Sequence, residues 1–271
     1  MGIFYKYFTE KGGLLMIKKI PSERMWNSNL HWLKGKFHFS FGEYYNEKNI
    51  NFGVLKVVND EILIPKTGFK THPHRDMEII SYVVKGKLSH EDSIGKKAVV
   101  EKGEVQYMSA GTGIFHSEHN NHSENLRFIQ LWILPDKTDS EPFYKNFKFD
   151  WNKRCDKFFH IVSNKNGNAP VKINQDINIF VTELSQEKTL YLEIKEKRQG
   201  YVVQIEGKSI INGVELSERD ALKTIVNDGK IMPLRRCKSA TPSCHCDGVK
   251  VPLKNPKVIK NFGIYTILFF S

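Results

Sequence analysis

The sequence predicts an all-β protein, on three observations. Its apolar residues fall into many short runs, most with Gly, Pro, Asn or Asp turn signals between them, the pattern of an antiparallel sandwich or barrel. Phe37, Phe39 and Phe41 alternate, as a strand with one buried face requires. The stretch Tyr201-Val202-Val203-Gln204-Ile205-Glu206-Gly207-Lys208 echoes Tyr82-Val83-Val84-Lys85-Gly86-Lys87. Such a faint internal repeat implies two duplicated units.

At the N-terminus, residues 1–15 differ in character from the chain beyond them. Met16 reads as a fresh start, and Lys11-Gly12-Gly13 can be encoded by a purine-rich run of the kind that positions ribosomes. Residues 1–15 are therefore expected to be a non-native leader. Residues 26–45 are rich in aromatics, among them Trp26, Trp32 and Tyr44. Strands are expected over 52–58 and 61–65, then from Thr71, over 77–84, over 98–108 with a break at Lys102-Gly103-Glu104, and over 128–134. Pro135-Asp136 suggests the end of a first domain, 16–138, with a linker over 139–157. Strands resume at 158–162, 177–184 and 189–194, the run 201–208 follows, and Asn212-Gly213 is a hairpin turn signal. A second domain is expected over 158–228.

The formal net charge of +11 invites a nucleic-acid reading. Eight basic residues against Asp247 in 229–271 account for most of it, so the body is nearly balanced and no nucleic-acid partner is expected. Residues 229–271 form an atypical basic tail. Its Cys237, Cys244, His245 and Cys246 match no common structural zinc spacing. Four cysteines make no disulfide framework in a chain of 271 residues. No apolar run is long enough to span a bilayer, and a cytoplasmic monomer is expected.

The chemistry gathers in two short pairs, His72-Pro73-His74 and His116-Ser117-Glu118. Residues i and i+2 of a strand share a face, roughly 6–7 Å apart. Two adjacent strands carrying these pairs would bring three imidazoles and one carboxylate together, a donor set suited to a first-row transition metal. Glu78 has the parity of His72 and His74. His90, His119 and His122 read as loop or rim histidines.

The spacing Gly68-x3-His72-x-His74-x3-Glu78-x7-Gly86, then Gly103-x7-Gly111-x4-His116-x3-Asn120, resembles the two motifs of the cupin superfamily. More narrowly, residues 71–78 and 108–118, with His90-Glu91-Asp92-Ser93-Ile94-Gly95, resemble the pirin family and its bacterial quercetin 2,3-dioxygenases. The likeness runs from about Met16 to Asp228.

The resemblance implies a bicupin of two antiparallel jelly-roll barrels. One Fe(II) would sit in the first, held by His72, His74, His116 and Glu118, with Mn, Cu, Ni or Zn acceptable to the same donors. Glu78 is then expected beside the metal ligands, orienting a histidine. The implied reaction is cleavage of a flavonol by dioxygen with Glu118 as catalytic base. The alternative implied role is an iron-bearing, redox-responsive interaction module. The second barrel has His160 alone among its histidines over 158–226, so one ion per chain is expected.

Overall fold

The computed structural model describes residues 3–8, 14–186, 188–194, 198–226, 230–236 and 264–270. It is a β protein of two compact units. One comprises Met25–Phe149 with Val162–Asp176, the other Met1–Arg24, Asp150–Ile161 and Ile177–Ser271.

The first unit holds two antiparallel sheets. The larger runs Phe143–Phe147, Val105–Ser109, Glu78–Lys85, Leu126–Ile133, Leu55–Leu63, Leu33–Phe37, Trp26–Asn29. The smaller runs Thr67–His74, Ile114–Asn120, Lys87–Asp92, Lys97–Glu101. Leu33, Leu63, Val83, Leu126 and Phe128 of the larger sheet share one buried cluster with Leu88 and Val100 of the smaller. The two sheets therefore close on a common core, as two apolar faces must.

Pro73 is accommodated because Thr67–His74 is an edge strand, where a missing N–H costs no ladder bond. Opposite it the register slips between His116 and Glu118, with His116 facing His72 and Glu118 facing Phe69. A bulge of this kind re-aims side chains. Gly68 permits the close approach: a Cβ there would lie 2.3 Å from the Glu118 carbonyl oxygen.

The second unit repeats the plan. Its larger sheet includes, in order, Ile3–Phe8, Leu14–Ile20, Ala221–Val226, Gln199–Gln204, Ile264–Phe270 and Ile177–Glu183. Its smaller sheet runs Thr189–Ile194, Lys230–Arg236, Ser209–Ile211, Val214–Leu216. Ile17, Val202, Leu216, Leu222 and Leu234 are among its buried core. Asn212 and Gly213 have φ of 47° and 82°, the two left-handed residues of a tight hairpin turn.

The structure divides the chain differently from the sequence reading at three places. The expected linker contributes Phe143–Phe147, which pairs with Val105–Ser109 inside the first unit. The expected leader pairs Ile3–Phe8 with Leu14–Ile20. The expected tail supplies Lys230–Arg236, and Ile264–Phe270 pairs with both Ile177–Glu183 and Gln199–Gln204. The cysteines of the tail lie outside the described residues.

Candidate metal centre

Direct pairing of His72 with His116 across the edge ladder sets up the site. His74, two residues on, shares the face of His72. The ring centroids of His72, His74 and His116 lie 4.5–4.8 Å apart. One nitrogen of each ring lies within 4.8 Å of the others. His72 Nδ1 stands 2.7 Å from the Lys70 carbonyl oxygen. A carbonyl only accepts, so Nδ1 donates in this bond and Nε2 is the nitrogen left to face a metal. His116 is buried, and neither of its ring nitrogens has a hydrogen-bond partner. Buried nitrogens without partners fit a metal that is to receive them. Burial, then the neighbouring imidazoles, push His74 and His116 down to about 3, so both are neutral at pH 7, as ligands must be.

Glu118 is also buried, but it does not fall in the three-histidine group. It belongs to an overlapping one with His116 and His90, again with one ligand atom of each within 4.8 Å. Its carboxylate is held by side chains from one face of the larger sheet. Gln130 Nε2 donates to Oε2 at 2.7 Å, Ser81 Oγ to Oε1 at 3.4 Å, and Gln106 Nε2 also donates to Oε1. Ser81 pairs with Gln106 on one side and Gln130 on the other, which places the three side by side. Both amides are locked from behind: Tyr144 OH donates to Gln106 Oε1 at 3.2 Å, and Trp132 Nε1 to Gln130 Oε1 at 3.0 Å.

Glu78 lies elsewhere. It pairs with Ser109 three positions from Ser81, so strand parity turns it to the opposite face of the sheet. There it accepts from Tyr107 OH, from Ser109 Oγ at 2.7 Å, and from Asn174 N and Nδ2 at 3.1 and 3.2 Å. These bonds occupy both of its oxygens, and none comes from a histidine. Burial, then the Glu78 carboxylate, hold the Tyr107 phenol well above its usual range.

His90 departs from its reading as a rim residue. Its side chain is fully buried, its Nε2 lies 2.9 Å from Asp92 Oδ2, and its ring stacks on Tyr144 at 3.9 Å. Register explains the placement, since His90 faces Glu118 and Asp92 faces His116. The sequence signal was available in the i, i+2 spacing of His90 and Asp92. His119 does line the mouth.

The site opens on a cavity of about 760 Å³ walled by Trp32, Phe41, Phe69 and Trp132, with His72, Glu118 and Gln130 also lining it. Trp132 meets His74 edge to face at 4.7 Å. Arg75 donates to the Thr112 carbonyl oxygen at 2.7 Å and pairs with Asp139, tying the Thr112-Gly113 loop beside His74. Behind the site Asn59 Nδ2 donates to Glu61 Oε1 at 3.1 Å. Burial first, then the Glu118 charge, push Glu61 up to about 8.

A family model described as Pirin matches residues 20–133, and one described as Quercetinase C-terminal cupin domain matches residues 160–231. A protein named putative quercetin 2,3-dioxygenase from Pseudomonas aeruginosa is 37% identical, over 76% of this chain and 90% of its own. The chain belongs to the pirin family. A pirin-like protein of Caulobacter vibrioides is 38% identical to this pirin over 76% of the chain and 89% of its own. The quercetin 2,3-dioxygenase of Escherichia coli K12 is 37% identical over 72% and 84%. Among solved structures, the E. coli pirin YhhW with nickel(II) superposes with a TM-score of 0.79 at 29% identity, covering 94% of this chain and 99% of its own. Among the described residues of this pirin, both groups able to hold a metal contain His116 of the first unit. No helix of the described residues is long and apolar enough to cross a membrane.

Proposed function

We propose that this pirin is an Fe(II)-dependent dioxygenase that opens the ring of a flavonol such as quercetin, with His72, His74, His116 and Glu118 holding the metal. One observation carries the reading: His72, at the corner of a three-imidazole cluster, and the buried carboxylate of Glu118 both line a cavity whose walls are aromatic. The names of the relatives support the same chemistry.

The residues have separate tasks. Trp32, Phe41, Phe69 and Trp132 present flat apolar surface to the substrate rings and exclude water. Bound iron supplies Lewis acidity toward the 3-hydroxyl and 4-carbonyl and the electron chemistry that dioxygen needs. Glu118 takes the 3-hydroxyl proton, which leaves the ring electron-rich. Gln106, Gln130 and Ser81 fix the Glu118 carboxylate so that it need not reorganise when the proton arrives. Dioxygen adds across the ring, and carbon monoxide and a depside leave.

The test is Glu118→Gln, which keeps size and removes the base. It should lower kcat by more than it raises KM. Equal turnover by the iron-loaded variant would remove Glu118 from the chemistry.

A further inference from the structure

We propose that His90 is a positioning residue for His116: once a metal holds one His116 nitrogen, the His90 Nδ1 would accept the ring N–H on the other, a bond the two rings do not make as they stand. The proposal rests on the reading of His116 as a metal ligand and goes beyond it.

Asp92 Oδ1 accepts from the backbone N–H groups of Ile94 and Lys96 at 3.1 and 2.9 Å, which fixes the carboxylate. Its Oδ2 takes His90 Nε2 at 2.9 Å. A carboxylate only accepts, so Nε2 carries the proton of this bond, and in the neutral tautomer that leaves Nδ1 as the ring's acceptor. That Nδ1 is buried without a partner. The parallel Tyr144 ring, 3.9 Å away, holds the imidazole plane.

His116 has the complementary deficit. Its two nitrogens are buried and without partners. A metal satisfies one, and the other then carries a proton in need of an acceptor. The Glu118 oxygens accept from Gln106, Ser81 and Gln130 and on the proposed reading also hold the metal, which leaves His90 Nδ1 as the acceptor beside His116. The His90 ring centroid is 5.4 Å from that of His116, and the two rings contribute ligand atoms to one group spanning 4.8 Å. His90 backed by Asp92 would set the His116 ring plane and make it a stronger donor to the metal.

The experiment is Co(II) titration of the full chain against a competing chelator, followed by the visible spectrum. His90→Phe keeps the stack on Tyr144 and removes the acceptor. It should weaken cobalt binding about 10–100-fold, the usual effect of losing such a partner, with the coordination number of wild type. His90→Asn, whose Oδ1 stands near the place of Nδ1, should recover most of the loss. Unchanged affinity in a folded His90→Phe protein would overturn the proposal. So would complete loss of cobalt with a changed coordination number, which would make His90 a ligand itself. Wild type that binds no cobalt would overturn the reading of His116, and the proposal with it. Should the variants fail to fold, nitrogen-15 NMR of the zinc-loaded wild type decides. A His90 Nδ1 shifted as a hydrogen-bonded acceptor supports the proposal, and an unshifted one overturns it.

Discussion

Gln130 donates a 2.7 Å hydrogen bond to Glu118, and Trp132 determines which end of the Gln130 amide does so. Because the indole N–H occupies Oε1, the NH2 group must face the carboxylate. Trp132 also walls the cavity, so a cavity wall is two hydrogen bonds removed from the proposed base. Trp132→Phe keeps a ring and removes the donor. A neutral hydrogen bond is worth about 1 kcal/mol, so kcat should fall about fivefold, with a smaller change in KM. Steady-state kinetics on the iron-loaded protein check this.

His74→Ala should abolish metal retention while leaving the fold, since His74 is partly exposed at an edge strand. Elemental analysis after desalting measures it, and stoichiometric metal in the variant would count against the site.

The pH behaviour of the same cluster has a definite sign. His74 and His116 fall from 6.5 to about 3, by burial and then by their neighbours. Between those values the unfolded chain binds protons that the folded rings refuse. Stability is therefore fully present above about 6.5 and is lost as pH falls toward 3. At pH 7 metal loading should release no proton from these two rings, which calorimetry in buffers of different ionisation enthalpy can measure.

Glu61 has the opposite sign. Its carboxyl rises from 4.5 to about 8, chiefly through burial and next through Glu118. The folded state then binds the extra proton, and stability falls as pH rises through that window. Glu61→Gln should raise Tm at pH 8.5 and change it little at pH 4.5. An equal shift at both values would show that Glu61 is charged throughout.

Ile264–Phe270 has a ladder partner on both sides, whereas Ile3–Phe8 is at a sheet edge. Ending the chain at residue 263 should give protein that precipitates or melts far below wild type. Deleting residues 1–13 should cost much less. Thermal melts of the two truncations give the comparison.

Much of this was legible in the sequence, where period-2 spacing was clean. It was not clean at Phe37, Phe39 and Phe41, since the strand Leu33–Phe37 ends at the first of them and His38 beyond it is buried together with Phe39. The pairs His72/His74 and His116/Glu118 marked the strands that meet. Glu78 misled because parity was counted from His74 through Arg75-Asp76-Met77, where Asp76 takes a positive φ of 46° and the chain passes to the other sheet. Gln106, Gln130 and Ser81 carry no sequence signal of their own. Their convergence on Glu118 needs the order of three strands, which only tertiary pairing supplies. The apolar run Ile264–Phe270 could be read as a strand, but its partners could not, since they lie some 60–90 residues away in the chain and composition near it pointed to a tail.

Oxygen uptake and carbon monoxide release from the Fe(II)-loaded full chain with a panel of flavonols decide whether this pirin is a ring-opening dioxygenase. One carbon monoxide should appear per dioxygen consumed, with both signals lost in His74→Ala. Fully iron-loaded protein that consumes no oxygen and releases no carbon monoxide across the panel would contradict it and favour the role of an iron-bearing interaction module.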